Sequence, residues 1–472
     1  MANHNRSNFH RHLTNRASGL SRLTNFKNYF RRKYGGGVNL SLDENIDIKT
    51  NHHNGNTTCL DLESIEGRYL LSGAVDGHVS IYDLASVDNN INNSSSNGIS
   101  SNSIKNVEPL VFSKGSLTNP LPAPHKHMIS SVQWYPVDTG LFISSCMGGL
   151  VNVWDTNNME IVARFRIGRR INASPMSRIS KHHNLIAVGC DENTIRLCDL
   201  RTGSNTHVLQ GHREEVSSLN WSPVDEYVVA SGSNDCTVRL WDIRSSGLKA
   251  CTYIFDMYDT KGTRNRKIGN QPIGGGTSSN QHKEDHLDNN NNNNDNNNNT
   301  NNASSSSSSS SSKKRQYANN VNQFQNNNRN RKKNKSNNFA HKRSVTSHPS
   351  PVKSVQFTPD GLFLVSCSSN NITTWDAYKG INQLIHYPNF KAAYCGKASP
   401  LNILQIGSSY DAYIVTPIDK TGEIFLYKMH DGTICSRLKG HYETVTDIVI
   451  RDVGSNIQLF SAALDGNIIA WS

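Results

Sequence analysis

The side chains in this sequence that are best suited to chemistry are histidines, serines and aspartates that recur at a fixed spacing. In two stretches a serine precedes an aspartate by four residues, the aspartate precedes a tryptophan by six, and a histidine stands upstream. These two sets are His212, Ser231, Asp235 and Trp241, and His441, Ser461, Asp465 and Trp471. A catalytic triad occurs once per active site, whereas this set recurs, and Ser72, Asp76 and Tyr82 repeat its intervals again. We therefore predict structural tetrads, in which buried polar groups satisfy one another.

Other motifs for catalysis or metal binding are weak or absent. His125 and His127, and the neighbours His182 and His183, have the residue type of metal ligands, but no acid or thiol partner lies at a suitable spacing. The sequence contains no P-loop, HExxH motif or C-x-x-C pair. Its nine cysteines lie mostly inside apolar strands, which is typical of core residues in a reduced cytosolic or nuclear protein. We predict a protein that is not an enzyme and that binds no cofactor or metal.

The recurring residues belong to a repeated element that ends in an aromatic residue or cysteine, usually followed by aspartate. The pattern appears seven times, at Tyr82-Asp83, Trp154-Asp155, Cys198-Asp199, Trp241-Asp242, Trp375-Asp376, Tyr427-Lys428 and Trp471. Three of the six intervals are 43 or 44 residues. A repeat of about 40–45 residues with Gly-His early and Trp-Asp late is typical of a WD40 propeller blade. The sequence therefore predicts an all-β fold, a seven-bladed WD40 β-propeller.

The sequence also indicates how the ring is closed and which segments lie outside its blades. The last repeat has only three strands, and an open edge inside a ring would leave backbone groups unpaired. We predict that residues 38–48 supply the fourth strand, within a propeller that spans 38–472. Residues 86–107 are rich in Asn and Ser, and residues 259–346 add basic runs to the same composition. We predict that both are disordered, because such segments cannot bury a core.

Residues 1–37 form a basic N-terminal arm with eight Lys or Arg and no acid. Its apolar residues recur at helical spacing and predict an amphipathic helix. Three roles are open: a mitochondrial transit peptide, a helix packed on the propeller rim, and a helix that docks into a partner's groove. In the docking alternative, the apolar contacts include Phe9, Leu13, Leu20 and Leu23.

The net charge of +11 is concentrated in the arm and the long insertion. The arm carries +8, and residues 257–346 carry fifteen basic against five acidic residues, or +10, so the rest of the chain has 11 − 18 = −7. A negative propeller disfavours direct nucleic-acid binding by the ring. The basic runs at 313–315 and 329–335 have the composition of a nuclear localisation signal or of a solvated charge run.

Two neighbouring repeats end in Asp-x-Arg, at Asp199 with Arg201 and at Asp242 with Arg244. An arginine after the third strand, held by the aspartate, presents a planar fork of donors outward. Two such forks on adjacent blades predict a protein-docking patch. The alternative is a local ion pair that stiffens each turn, worth about 0–1 kcal/mol.

WDIR at 241–244, with CDLR one repeat earlier, resembles the box by which WD-repeat substrate receptors bind the DDB adaptor of cullin-4 RING ubiquitin ligases. An ordered series of segments, from EGRYLLSG at 66–73 to GNIIAW at 466–471, is similar to the branch of this family that acts in transcription-coupled nucleotide excision repair.

This resemblance implies that the arm and both Arg boxes dock on the adaptor, with the chain as one copy in a larger nuclear complex. It also implies targets at DNA damage: stalled RNA polymerase II or a Cockayne group B-like ATPase. The alternative is a WD-repeat scaffold for transcription, repair or chromatin complexes without a ligase.

Overall fold

The chain folds into seven small sheets that are arranged as the blades of a ring. The computed structural model describes residues 40–43, 46–48, 56–85, 105–107, 109–112, 125–259, 345–392, 400–405, 411–419, 421–453 and 456–472. The predicted seven-bladed, all-β propeller is confirmed. The arm, with Phe9, Leu13, Leu20 and Leu23, lies outside the described residues, and its predicted helix stays a prediction. Within the described ranges, no helix has the length and hydrophobicity of a membrane span.

The strands follow the repeats in chain order. The first part of the chain contains β1 (Ile46–Ile48), β2 (Thr57–Leu62), β3 (Tyr69–Ala74), β4 (Val79–Asp83), β5 (Lys105–Val107) and β6 (Pro109–Phe112). Blade 2 contains β7 (Ile129–Trp134), β8 (Leu141–Cys146), β9 (Leu150–Asp155) and β10 (Glu160–Arg166). Blade 3 contains β11 (Ile171–Ala173), β12 (Leu185–Cys190), β13 (Thr194–Asp199) and β14 (Ser204–Gln210). Blade 4 contains β15 (Val216–Trp221), β16 (Val228–Ser233), β17 (Val238–Asp242), a 3-10 turn (Leu248–Ala250) and β18 (Cys251–Ile254).

The remaining blades follow the long insertion. Blade 5 contains β19 (Val352–Phe357), β20 (Phe363–Ser368) and β21 (Ile372–Asp376). Blade 6 contains β22 (Asn402–Gln405), β23 (Ala412–Ile418), β24 (Glu423–Lys428) and β25 (Ile434–Lys439). Blade 7 contains β26 (Val445–Val453), β27 (Asn456–Ala463) and β28 (Ile468–Trp471). Blade 1 consists of β2, β3, β4 and β6.

Burial of both sheet faces explains the composition of the inner strands. Blades stack face to face, so β16 is buried at every position, whereas in the outer strand β10 only Phe165 is buried and the other residues are exposed or half-buried. Gly232 lies in β16 because a Cβ there would come within 2.5 Å of Val352 in the next blade. Five cysteines predicted to fill the core are buried, and none forms a disulfide with another described cysteine: Cys59, Cys146, Cys190, Cys198 and Cys367.

Polar side chains join each blade to the next around the ring. Between blades 1 and 2, for example, the carboxylate of Asp61 accepts a hydrogen bond from the Trp134 amide at 2.8 Å. The bridges at the other six junctions are Gln133 to Met176, Asn172 to Val216, Asn220 to Phe357, Gln405 to Asp360, Asn402 to Ile448, and Asp447 to Leu60. Since both groups of each bridge would otherwise be partly desolvated and unpaired, these bonds favour the closed ring.

The predicted closing strand is present. Strand β1 pairs antiparallel with β28, with Ile48 opposite Ile468, and Leu42 forms a further bridge to Trp471. The amide and carbonyl of Ser41 exchange hydrogen bonds with Ser472 at 2.9 and 3.0 Å. The N-terminal segment therefore completes blade 7.

The bounds of both predicted low-complexity segments need correction. Residues 105–107, which we predicted as the end of a disordered loop, form β5, a fifth strand parallel to β1 in blade 7. The apolar side chain of Val107 explains this, because it is buried against Ile48 and Leu60. The insertion is also shorter than 259–346, because Asp259 bonds through its backbone to Asp256 and Thr346 bonds to Met257. These backbone hydrogen bonds anchor both ends of the insertion to the ring.

Candidate protein-docking surface

Both Arg boxes lie on one face of the ring. The turns after the first and third strands of every blade lie on this face, which we call the bottom face. Arg201 follows β13 and Arg244 follows β17, the third strands of neighbouring blades. Leu40 precedes Ser41, which pairs with Ser472 just after the third strand of blade 7. The arm therefore joins the ring at the face that carries the two boxes.

In blade 4, Asp242 holds Arg244 in a fixed orientation. Asp242 ends β17, and its Oδ1 accepts the backbone N–H of Arg244 at 3.0 Å, which tightens the turn. The Arg244 guanidinium donates from Nε to Oδ1 at 2.9 Å and from Nη2 to Oδ2 at 2.6 Å. The Asp242 side chain is 17% exposed and that of Arg244 is 58% exposed. Asp242 is thus a support for Arg244, whose outer edge faces solvent.

This ion pair shifts the pKa values of both groups. Burial alone would raise the pKa of the Asp242 carboxyl, but the hydrogen bonds from Arg244 outweigh burial and lower the pKa. The hydrogen bonds that Arg244 donates to Asp242 raise the pKa of Arg244 above its usual value. Both groups therefore stay charged at physiological pH, and the pair keeps its geometry.

Tyr227 gives Arg244 a second support, which the sequence analysis did not identify. The Arg244 guanidinium carbon lies 5.1 Å from the centre of the Tyr227 ring, within the range of a cation–π contact. Tyr227 immediately precedes β16, and its carbonyl accepts the Ile243 amide at 3.0 Å. The turn before the second strand and the turn after the third strand are thereby joined.

A clamp of three residues, His182, His183 and Glu226, fixes Tyr227 between blades 3 and 4. The Glu226 carboxylate accepts the Lys181 amide at 2.7 Å and contacts the His182 imidazole. His183 Nε2 donates to the Glu226 carbonyl at 2.7 Å, and its ring centre lies 5.8 Å from that of Tyr227. Backbone hydrogen bonding by Lys181, followed by the bond with His182, lowers the pKa of Glu226 to about 2.

The two boxes share the Asp-x-Arg sequence but differ in how the arginine side chain is held. The backbone N–H of Arg201 donates to Asp199 Oδ1 at 2.9 Å, as in blade 4. In the described part of the chain, however, no ion pair joins the Arg201 guanidinium to Asp199, contrary to the predicted fork. The position before the second strand, Tyr227 in blade 4, is Asn184 in blade 3. Arg201 therefore has no aromatic ring at this position to stack on.

The predicted tetrads come together as hydrogen-bonded chains in blades 4 and 7. In blade 4, Trp241 Nε1 donates to Ser231 at 2.7 Å, Ser231 lies 2.6 Å from His212 Nε2, and His212 Nδ1 lies 3.0 Å from Asp235. The corresponding distances for Trp471, Ser461, His441 and Asp465 are 2.8, 2.8 and 3.0 Å. A neutral histidine with its proton on Nδ1 satisfies every donor. Burial lowers the pKa of His212 and so favours this neutral form, despite the opposing effect of Asp235.

Blades 2 and 5 contain the same series of hydrogen-bonded side chains but lack its aspartate. His125 contacts Ser144 at 2.7 Å and His348 contacts Ser366 at 2.7 Å, but Gly148 and Asn370 replace the aspartate. Nδ1 of both histidines is buried without a partner among the described residues. Burial lowers the pKa of His125 to about 4 and that of His348 to about 3. In blade 1, the side chain of Asp76 pairs instead with His78 at 3.1 Å.

Metal binding finds no support in the described ranges, where no group of three His, Cys, Asp or Glu side chains is arranged to hold an ion. His182 and His183, which had the residue type of ligands, belong to the clamp at Glu226. The functional candidates on the bottom face are therefore the exposed hydrogen-bond donors of Arg201 and Arg244.

Comparison with known proteins agrees with this fold. The WD domain, G-beta repeat model matches residues 46–83, 203–242 and 339–376. WD repeat-containing protein ATCSA-1 of Arabidopsis thaliana is 29% identical over 98% of this chain and 94% of that protein. Radiation-sensitive protein 28 of Saccharomyces cerevisiae is 31% identical over 25% of each chain. The ribosome biogenesis protein WDR12 homolog of Drosophila persimilis is 31% identical over 26% of this chain and 28% of its own.

Proposed function

We propose that this seven-bladed propeller, three segments of which match the WD domain, G-beta repeat model, is the substrate-recognition subunit of a DDB–cullin-4 type ubiquitin ligase. It acts in transcription-coupled nucleotide excision repair in the nucleus and catalyses no reaction itself. The observation that carries the proposal is that Arg201, Arg244 and the junction to the arm at Leu40 share the bottom face. One partner surface is then able to contact all three.

The resemblance to known proteins supports the repair role. The ordered segments of the sequence are similar to the Cockayne syndrome group A protein, and the similarity to ATCSA-1 extends over nearly the whole of both chains. We propose stalled RNA polymerase II and a Cockayne group B-like ATPase as the targets. These targets bind away from the bottom face, which the adaptor occupies.

We expect the double substitution Arg201→Ala/Arg244→Ala to cut recovery of the adaptor by tenfold or more. Each interface arginine contributes on the order of 1–2 kcal/mol, and about 1.4 kcal/mol corresponds to a tenfold change in affinity. The measurement is affinity purification of the full chain from its native cell with quantitative mass spectrometry. Deletion of residues 1–37 should reduce recovery in the same assay.

The matched control is Arg166→Ala/Arg213→Ala, which removes the same charge from exposed residues away from the bottom face. Adaptor recovery should then stay at the level of the unmodified chain. If the unmodified chain recovers neither adaptor nor cullin, the ligase role is wrong, and the proteins that do copurify identify the complex for which the propeller is a scaffold.

A further inference from the structure

The donors of Arg244 are divided between an internal support and an open edge. A guanidinium has five N–H donors, and Asp242 takes one from Nε and one from Nη2, which leaves three. The Tyr227 ring lies against one side of the guanidinium, and more than half of the Arg244 side chain is still exposed. The remaining donors therefore lie in one plane that is defined before any partner arrives.

Tyr227 is itself held on several sides. Its amide donates to Asp225 at 3.0 Å, its carbonyl accepts the Ile243 amide, and the rings of His182 and His183 lie 6.5 and 5.8 Å from its own. The clamp at Glu226 connects this aromatic group to blade 3. Since the ring is braced by both blades, its orientation does not depend on Arg244.

We infer that Tyr227 is a positioning residue that holds Arg244 as a rigid anchor for the adaptor, whereas Arg201 acts as a mobile charge. This inference rests on the proposed function. An arginine that is already ordered loses little side-chain entropy when it binds, so it gives more affinity for the same hydrogen bonds. Among the described residues, Arg201 has neither an ion pair with Asp199 nor an aromatic ring beside it, so the partner has to order its side chain.

We expect Tyr227→Leu to weaken binding of the purified adaptor about two- to fivefold, the range expected for losing an exposed cation–π contact. Tyr227→Phe keeps the ring and should bind like the unmodified chain. Binding is measured by calorimetry with the full chain, and thermal unfolding of each variant shows whether the propeller is intact. The matched control is Tyr442→Leu, because Tyr442 is 87% exposed in the loop before β26, away from the bottom face.

The double variant Tyr227→Leu/Arg244→Ala separates positioning from general destabilisation. If Tyr227 acts through Arg244, this variant binds no more weakly than Arg244→Ala alone. A further loss in the double variant, or equal losses for Tyr227→Leu and Tyr227→Phe, would overturn the inference. If Arg244→Ala weakens binding and Tyr227→Leu does not, only this inference fails. If the unmodified chain does not bind the adaptor, the proposed function fails as well.

Discussion

Replacing Ile48 by aspartate is expected to lower the free energy of unfolding by about 3–5 kcal/mol. Ile48 is 5% exposed and packs with Leu60, Tyr82 and Phe460 in the core between blades 7 and 1. The substitution removes a buried aliphatic side chain and places a carboxylate among the apolar side chains of this core. It also weakens the strand that closes the ring, so most of the chain should be affected.

The matched control is Leu42→Asp, the same kind of change in the same closing segment. The Leu42 side chain is 43% exposed although its backbone bridges to Trp471. The cost there should stay below about 1 kcal/mol, as for most exposed substitutions. Denaturant unfolding of both variants, followed by tryptophan fluorescence, tests the prediction. Equal losses in the two variants would show that the cost at residue 48 does not come from burial of the Ile48 side chain.

Acidification from pH 7.5 to pH 5 is expected to lower the free energy of unfolding, and two buried histidines account for about 4 kcal/mol of this loss. His125 and His348 have native pKa values of about 4 and 3, both below the value of about 6.5 in the unfolded chain. The unfolded state therefore binds more protons below pH 6.5, and stability falls with pH until the native pKa values are reached. Each histidine contributes about 2 kcal/mol at pH 5.

The acids of the complete tetrads act in a lower range of pH. Burial alone would raise the pKa values of Asp235 and Asp465, but the hydrogen bonds with His212 and His441, together with further hydrogen bonds and the histidine charge, lower them. Their stabilisation is present above the unfolded pKa of about 4 and is lost below it. The loss between pH 7.5 and 5 therefore reports on the histidines.

A variant with one buried histidine replaced should show a smaller dependence on pH. Asparagine at this position cannot be protonated, so we expect His348→Asn to lose about 2 kcal/mol less than the unmodified chain between pH 7.5 and 5, although it starts from lower stability. His207→Asn, at an exposed position of β14, should keep the full loss. The measurement is unfolding by urea at a series of pH values. If the free energy of unfolding of His348→Asn fell with pH as steeply as that of the unmodified chain, His348 would not be a titrating group.

Much of the fold is visible in the sequence because each blade repeats the same local pattern. The Trp-Asp spacing identifies the third strands, and the missing fourth strand of the last repeat leads to β1. The short strand β5 is not visible, because three residues carry no clear periodicity, although the side chain of Val107 is buried. Its pairing depends on β1, which comes from a distant part of the sequence.

The candidate docking surface was predicted in part. The repeated Asp-x-Arg ending identifies both arginines but treats them as equivalent. Their difference depends on which side chain of another turn lies beside each guanidinium, and a motif confined to one turn does not contain this information. The signal was present at the residue before each second strand, Tyr227 in one repeat and Asn184 in the other. The role of His182 and His183 depends on contacts between blades, and their sequence spacing does not indicate it.

The closure of blade 7 also has consequences for how the chain reaches its native state. Ser41 and Ser472 are separated by 431 residues, yet they exchange hydrogen bonds. The N-terminal strand β1 can pair with β5 early, but β28, its antiparallel partner, is synthesised only after the other six blades. Pairing at such separation makes folding slow, because the entropy of loop closure is lost before the contact forms. During that interval the unpaired edges of blades 1 and 7 are exposed to other chains, so we expect aggregation during synthesis to depend on how quickly these two segments meet.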